Sequence, residues 1–214
     1  MKGVKSMNPQ TIVISGGPHE VAMGDNAETP EFIDHRVTST FGERDLVRIL
    51  GVDKPLPERQ LLFPAYDLID HHPNYQFDNQ LFDGKMMTQI LTATGCNQKC
   101  NFCSAQLVYE PFKDRIVINY LERLVELGFD AVFFNDPNFT SPWRGDGETT
   151  SHEIDVKDRY GRVKGLMHAL IDSGVNRELV WGCQTKATMV NPELLDLMVK
   201  AGCGYITYAL ENVD

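Results

Sequence analysis

The sequence predicts an α/β fold with a parallel sheet, either an open α/β sheet or part of a β/α barrel. In the second half of the chain, four apolar runs rich in β-branched or aromatic residues alternate with three helical patterns. Such alternation implies parallel strands joined by right-handed crossovers. In both architectures, ligands gather at the carboxyl ends of the strands. The sequence therefore predicts a functional site at that edge of the sheet.

The predicted β/α series fills residues 87–214, and each of its helical patterns ends at a glycine. Apolar positions three and four apart mark the first two helices. Asn191 is predicted to cap the third helix, with Pro192 in its first position, where a missing N–H costs nothing. The strands are predicted at 87–93, 131–134, 179–185 and 205–210, and the helices over 117–125, 163–171 and 192–201.

The first part of the chain is predicted to be a smaller α/β segment followed by a linker. Residues 11–15 and 35–40 are candidate strands, and residues 43–50 are a candidate helix that stops at Gly51. Residues 51–86 hold four prolines and many polar groups, which is typical of a linker. Within it, the apolar triplet Leu61-Leu62-Phe63 is expected to dock on a neighbouring domain.

The composition limits which classes of partner the protein is expected to bind and the cellular compartment in which it is expected. The 214 residues carry a formal net charge of −10, which argues against nucleic acid or an anionic membrane as a main partner. No run is long enough for a membrane span or a signal-peptide core, so the chain is expected in the cytoplasm. The five cysteines are odd in number and three lie within eight residues, unlike a secreted disulfide framework.

Cys96, Cys100 and Cys103 have the spacing C-x₃-C-x₂-C and directly follow the first strand of the β/α series. A [4Fe–4S] cluster normally takes four thiolates, so three leave one iron open to a chelating ligand. The amine and carboxylate of S-adenosylmethionine (SAM) are such a ligand. Three alternatives stay open: a zinc site completed by Cys183 or Cys203, a four-cysteine electron-transfer cluster, and inert buried cysteines.

Three segments of residues 87–214 resemble a known family. Gly95-Cys96-x₃-Cys100-x-Phe102-Cys103 resembles the signature of the radical SAM superfamily. Asn135-Asp136-Pro137-Asn138-Phe139-Thr140 is similar to the Asp-Asp-x-Phe-Thr segment of its cobalamin-binding branch. Residues 191–203 with Ala209-Leu210-Glu211-Asn212 resemble the helix and the Gly-Ile-Glu-Ser strand end of that branch.

This resemblance implies a partial β/α (TIM-like) barrel with SAM across the strand ends. Cys96, Cys100 and Cys103 would bind the cluster. Asn135 and Asp136 would lie near the SAM amine, and Glu211 near its ribose or amino group. Asp136 as a cap of the following loop and Glu211 as a solvated side chain are the alternatives. Lys186 stands where an arginine is frequent in the family, and no role is carried over to it.

Residues 11–50 are similar to the closing part of the branch's cobalamin-binding domain, through Gly16-Gly17-Pro18-His19 and the stretch 41–46. Cobalamin is therefore a further cofactor that the resemblance implies. The chain lacks the Asp-x-His-x-x-Gly element, and about 50 residues are too few for a full α/β domain. A plain tight turn at Gly16-Gly17 and a surface position for His19 are the simpler readings.

The predicted organisation is a remnant of an α/β cobalamin-binding-like domain over 1–50, a linker over 51–86, and the first four β/α units of the barrel over 87–214. Because the family barrel has six units, we expect a fragment or a natural truncation, completed by a partner chain. The expected activity is reductive cleavage of SAM, with a one-electron reductant and a small-molecule substrate. Methylation, ring formation and sulfur insertion stay open. The alternatives are a non-catalytic Fe–S/SAM-binding or electron-transfer protein and a zinc-stabilised structural module.

Overall fold

The structure is a computed structural model that describes residues 2–26, 28–39, 42–52, 63–66, 82–103, 109–143 and 158–208. The chain divides into two units, the first made of Met1–Arg59 with Gln98–Val108 and the second of Gln60–Asn97 with Tyr109–Asp214. The boundaries predicted at residues 50 and 86 stay predictions. Within the described residues, no helix has the length and apolar character needed to cross a membrane.

The first unit contains a short parallel strand pair with helices around it. Ile14 lies opposite His35, so both predicted strands are present, although each has only two residues. After the first strand, Gly17, at φ 107°, turns the chain into a helix that starts at Pro18, a favourable first position. This helix and the N-terminal one were missed from the sequence. The elements are α1 (Lys2–Met7), β1 (Ile14–Ser15), α2 (Pro18–Met23), a 3₁₀ turn (Gly24–Asn26), β2 (His35–Arg36) and α3 (Gly42–Ile49).

The second unit contains the predicted β/α series. All four strands and all three helices occur where the sequence places them, within about three residues, the usual scatter of element boundaries. The elements are β3 (Met87–Ile90), β4 (Ala93–Thr94), β5 (Glu110–Pro111), α4 (Asp114–Glu126), β6 (Ala131–Phe134), α5 (Gly161–Ser173), a 3₁₀ turn (Val175–Arg177), β7 (Val180–Thr185), a 3₁₀ turn (Ala187–Met189), α6 (Pro192–Lys200) and β8 (Cys203–Tyr208).

The main sheet has the order β3-β6-β7-β8, and every neighbouring pair is parallel. This confirms the predicted α/β fold with a parallel sheet built from the first four strands of a β/α series. One detail differs from the prediction. The run 87–93 breaks after Ile90, and Ala93–Thr94 pairs instead with Glu110–Pro111 in a small antiparallel ladder. The segment that leads into the cysteines is therefore held outside the main sheet.

The core lies between one face of the sheet and helices α4, α5 and α6. Its centre is a group of three aromatic rings from Phe134, Phe139 and Trp181, with ring centroids 5.0 to 5.4 Å apart. Burial of such a side chain stabilises a fold by roughly 1.5–3 kcal/mol. A smaller cluster of Phe82, Ala131 and Phe133 covers the opposite face. This core therefore stabilises the sheet whose strand ends bear the candidate site.

Part of the predicted linker also packs on this unit. Phe63 lies 4.7 Å from the ring of Tyr120 in α4 and 5.2 Å from the ring of Tyr66, measured between centroids. Phe63 therefore packs inside the unit to which it belongs, and the docking of the triplet on a neighbouring domain stays a prediction. Leu61 and Leu62 lie outside the described residues.

Candidate functional site

Asp136 ties the end of β6 to the segment that follows β3. It lies two residues after the strand, and none of its surface is exposed. Its carboxylate accepts a hydrogen bond from the backbone N–H of Thr92 at 2.6 Å, a second from that of Ala93 at 3.2 Å, and a third from the Thr92 hydroxyl. The strand break after Ile90 follows from these bonds, because a side chain takes the N–H that a longer strand would use.

Arg162 completes this anchor from the first turn of α5. Its side chain is buried, and its Nη2 donates to the carbonyl of Thr92 at 2.9 Å and to the Thr92 Oγ1 at 2.7 Å. Burial raises the pKa of Asp136, while the charge of Arg162 and the hydrogen bonds from Thr92 and Ala93 oppose that rise. We call Arg162, Thr92 and Asp136 the strand-end anchor.

The rest of the segment after β6 is bonded to the end of β7. Asn138 accepts from the hydroxyl of Thr185 at 2.8 Å, and that hydroxyl is also hydrogen-bonded to Thr140. The backbone N–H of Phe139 donates to the carbonyl of Gln184 at 3.0 Å. Three adjacent strands therefore share one polar network at their carboxyl ends, which gives the site a rigid base.

The two predicted SAM-contacting residues of this segment differ in exposure. The side chain of Asn135 is exposed, and its backbone N–H donates to the carbonyl of Ile90 at 2.8 Å. The Asp136 carboxylate is engaged inside the protein by three hydrogen bonds. Their predicted position near the SAM amine stays a prediction, and Asn135 is the one whose side chain reaches solvent. Glu211 lies outside the described residues.

The cysteine segment begins at Gly95, whose φ of 70° is a left-handed conformation that favours glycine. Cys96, Cys100 and Cys103 are partly exposed, and none of the protein's cysteines forms a disulfide. The backbone N–H of Cys103 donates to the carbonyl of Cys100 at 3.1 Å, which closes a turn between these two residues. Across the described ranges, no three His, Cys, Asp or Glu side chains are gathered closely enough to hold a metal ion.

The donor set fits an iron–sulfur cluster in type and number, although the thiols are not preassembled. Three partly exposed cysteines lie on one short segment, and cysteine sulfur is the ligand type that binds iron in such clusters. Metal sites commonly assemble as the metal binds, since a preformed site is rare without it. The assignment of Cys96, Cys100 and Cys103 as metal ligands therefore stays a prediction.

The two remaining cysteines lie in neighbouring strands. Cys183 is fully buried in β7, and Cys203 is partly buried in β8. A hydrogen bond to Cys203, followed by burial, raises the pKa of the Cys183 thiol. A protonated thiol is a poor metal ligand, so this environment disfavours Cys183 as the fourth ligand of a zinc site.

A pocket of about 400 Å³ lies beside the start of the cysteine segment, lined by Asn97, Tyr109, Pro142 and Trp143. The rings of Tyr109 and Trp143 meet edge to face with centroids 5.9 Å apart, and Asn97 Nδ2 donates to the carbonyl of Pro142 at 2.7 Å. Burial raises the pKa of Tyr109, and the nearby charge of Arg162 opposes that rise. Sequence reasoning missed this pocket, and it singled out Asp136 but missed the other two residues of the strand-end anchor, Thr92 and Arg162.

No family model matches the chain. A curated protein of Pyrococcus horikoshii, the uncharacterized methyltransferase PH0819, is 23% identical over an alignment of 245 residues that covers all of this chain and 48% of the relative. The chain thus spans about half the length of the methyltransferase that it matches. The chain is therefore similar to a methyltransferase along its whole sequence.

Two solved structures of the radical SAM methyltransferase TsrM from Kitasatospora setae are also similar to this chain. The first, with cobalamin and a [4Fe–4S] cluster bound, has a TM-score of 0.45 at 17% identity and covers 57% of this chain and 22% of that one. The second, with tryptophan substrate and the SAM analogue aza-SAM bound, has a TM-score of 0.48 at 17% identity and covers 60% and 22%.

Proposed function

We propose that the chain is part of a radical SAM enzyme in which Cys96, Cys100 and Cys103 hold a [4Fe–4S] cluster. The observation that supports this most is the C-x₃-C-x₂-C segment, which in sequence directly follows β3, the first strand of a parallel β/α series, and the short strand β4. When bound, such a cluster supplies the electron that splits the sulfonium of SAM.

In this proposal the protein's own residues fix the segment and shape its surroundings. Gly95 turns the chain into the cysteines, and the strand-end anchor holds Thr92, three residues earlier, through Arg162 and Asp136. Asn135 presents an exposed amide at the same edge of the sheet, where it can bind the amine or carboxylate of SAM. Glu211 is retained as a ligand of the SAM ribose or amino group.

Among the reactions left open by the sequence, methyl transfer has the best support. The similarity to an uncharacterized methyltransferase, across the whole of this chain, favours a use of SAM that includes its methyl group. The proposed activity belongs to the whole protein, together with a small-molecule substrate, a one-electron reductant and cobalamin as an additional cofactor. We also propose that the protein acts in the cytoplasm.

Anaerobic reconstitution of the purified chain with iron and sulfide tests this proposal. We expect about four iron and four sulfide per chain, the stoichiometry of a [4Fe–4S] cluster. After reduction with dithionite in the presence of SAM, chromatography should show 5′-deoxyadenosine. Zinc without iron or sulfide would contradict the cluster. A cluster that forms and never cleaves SAM would instead indicate a non-catalytic Fe–S/SAM-binding protein.

A further inference from the structure

Several buried hydrogen-bond donors of the second unit have no partner among the described residues. They are the Tyr109 hydroxyl, the Ser141 hydroxyl, the Trp143 indole N–H, and the Nε and Nη1 of Arg162. A buried polar group without a partner destabilises a fold, and native proteins keep few of them. Four residues with this property in one region therefore call for a physical reason.

These donors are concentrated around the pocket beside the cysteine segment. Tyr109 and Trp143 line the pocket, and Ser141 immediately precedes the lining residue Pro142. Arg162 is buried, and its charge acts on the Tyr109 hydroxyl. Every unpartnered atom in this group can donate a hydrogen bond, and neither the indole nor the guanidinium can accept one.

The pocket also has the size and walls of a small-ligand site. Its volume of about 400 Å³ falls within the range of roughly 300–1,000 Å³ that is typical of such sites. The rings of Tyr109 and Trp143 line the pocket and offer apolar contact to a ligand, while their polar atoms offer donors.

We propose that this pocket binds a small ring compound that carries a carbonyl or carboxylate oxygen. The ring packs on Tyr109 and Trp143, and the oxygen accepts hydrogen bonds from the Tyr109 hydroxyl and the Trp143 N–H. This inference goes beyond the proposed function, because binding requires neither an iron–sulfur cluster nor SAM. The two can therefore fail independently of each other.

The first test compares three probes of the same ring on the full chain without cluster, under reducing conditions. Benzoate and benzamide carry acceptor oxygens, whereas benzylamine carries only a donor. Saturation-transfer NMR and calorimetric titration should show binding of benzoate and benzamide, and binding of benzylamine at least about tenfold weaker. Equal binding of benzylamine and benzamide, or no binding of any probe at millimolar concentration, would overturn the inference.

The second test uses two buried tyrosines. The hydroxyl of one has no hydrogen-bond partner among the described residues, and the hydroxyl of the other has one. Tyr109→Phe removes an unpartnered hydroxyl, so benzamide should bind about fivefold more weakly while the melting temperature stays equal or rises. The matched control is Tyr120→Phe, since the Tyr120 hydroxyl is hydrogen-bonded to Tyr66 at 3.3 Å. That control should keep wild-type affinity for benzamide.

A third variant tests whether weaker binding by Tyr109→Phe reflects the loss of a hydrogen-bond donor or only a change in folding. Trp143→Phe keeps an aromatic wall and removes the indole N–H, so it should weaken benzamide binding in the same direction. Wild-type affinity in both Tyr109→Phe and Trp143→Phe would show that these donors do not bind the ligand, and the inference would fall.

Discussion

The guanidinium of Arg162 donates from a single nitrogen to two oxygens of Thr92, the carbonyl at 2.9 Å and the hydroxyl at 2.7 Å. The same hydroxyl donates to Asp136, so one threonine side chain links a buried cation to a buried carboxylate. Thr92 lies four residues before Cys96. The position of the chain at the start of the cysteine segment therefore depends on a charged pair from α5 and the end of β6.

Replacing Arg162 by methionine should destabilise the second unit by about 3–5 kcal/mol, because the buried Asp136 would lose the positive charge that opposes its raised pKa and Thr92 would lose two hydrogen bonds. Thermal unfolding followed by circular dichroism measures the change. Arg177→Met is the control, since Arg177 is exposed and its loss should change stability by no more than about 0.5 kcal/mol. Equal melting of the two variants would show that the strand-end anchor contributes little.

Single replacements of Cys96, Cys100 and Cys103 by alanine should each reduce the iron retained after anaerobic reconstitution to a small fraction of the wild-type value. Each thiolate would hold one iron, and the loss of one leaves the cluster open to dissociation. Cys203→Ala is the control, and it should retain wild-type iron and the absorbance of the cluster. Loss of iron in the Cys203 variant alone would contradict the proposed ligand set.

Gly95→Ala should destabilise the protein by about 1–2 kcal/mol, because an alanine side chain clashes with its own backbone at a φ of 70°. Chemical denaturation measures this loss. The same substitution at Gly3 should be neutral or stabilising, since Gly3 lies in α1 with open space where a Cβ would go. A neutral Gly95→Ala variant would show that the turn into the cysteines tolerates another conformation.

The first unit should lose stability in acid through Glu20. Hydrogen bonds from Ser15 and Arg36 lower the pKa of Glu20 below its ordinary value of 4.5. A lowered folded-state pKa stabilises the fold above the unfolded-state pKa, and this contribution disappears as the pH falls from about 4.5 through the folded-state value. Glu20→Gln should therefore flatten the pH dependence of unfolding below pH 5, measured by urea titration.

The control for this experiment is Glu28→Gln, because Glu28 is an exposed carboxylate of the same unit. It should keep the wild-type pH profile. A Glu20→Gln profile that matches the wild type would mean that the bonds to Ser15 and Arg36 contribute nothing to acid stability.

The main sheet and its helices were predictable because their signals are local. The apolar stripe of α4 is buried at Val117, Leu121 and Leu124, as its spacing predicts. Asn191 caps α6 by accepting a hydrogen bond from the backbone N–H of Leu194 at 2.8 Å, an interaction contained within four residues of sequence. The helices α1 and α2 were missed because each has only six residues, too few for a helical period to show.

The candidate site was predictable only in part, because most of its contacts join residues that are far apart in sequence. The three cysteines of the predicted metal site are recognisable in the sequence, because they lie within eight residues at a characteristic spacing. Arg162 looks like an ordinary polar residue at the start of an amphipathic helix, and its burial depends on partners far away in sequence. The pocket likewise joins Tyr109 to Trp143, which no local pattern connects.

The bond between Arg162 and Thr92 also sets an order of assembly. The two residues are 70 positions apart, so during synthesis the ribosome must release α5 before the chain ahead of Cys96 can be locked in place. Until then Asp136 alone of the two charged residues can hold Thr92. The final position of the chain ahead of Cys96 should therefore be reached only after α5 has folded and docked.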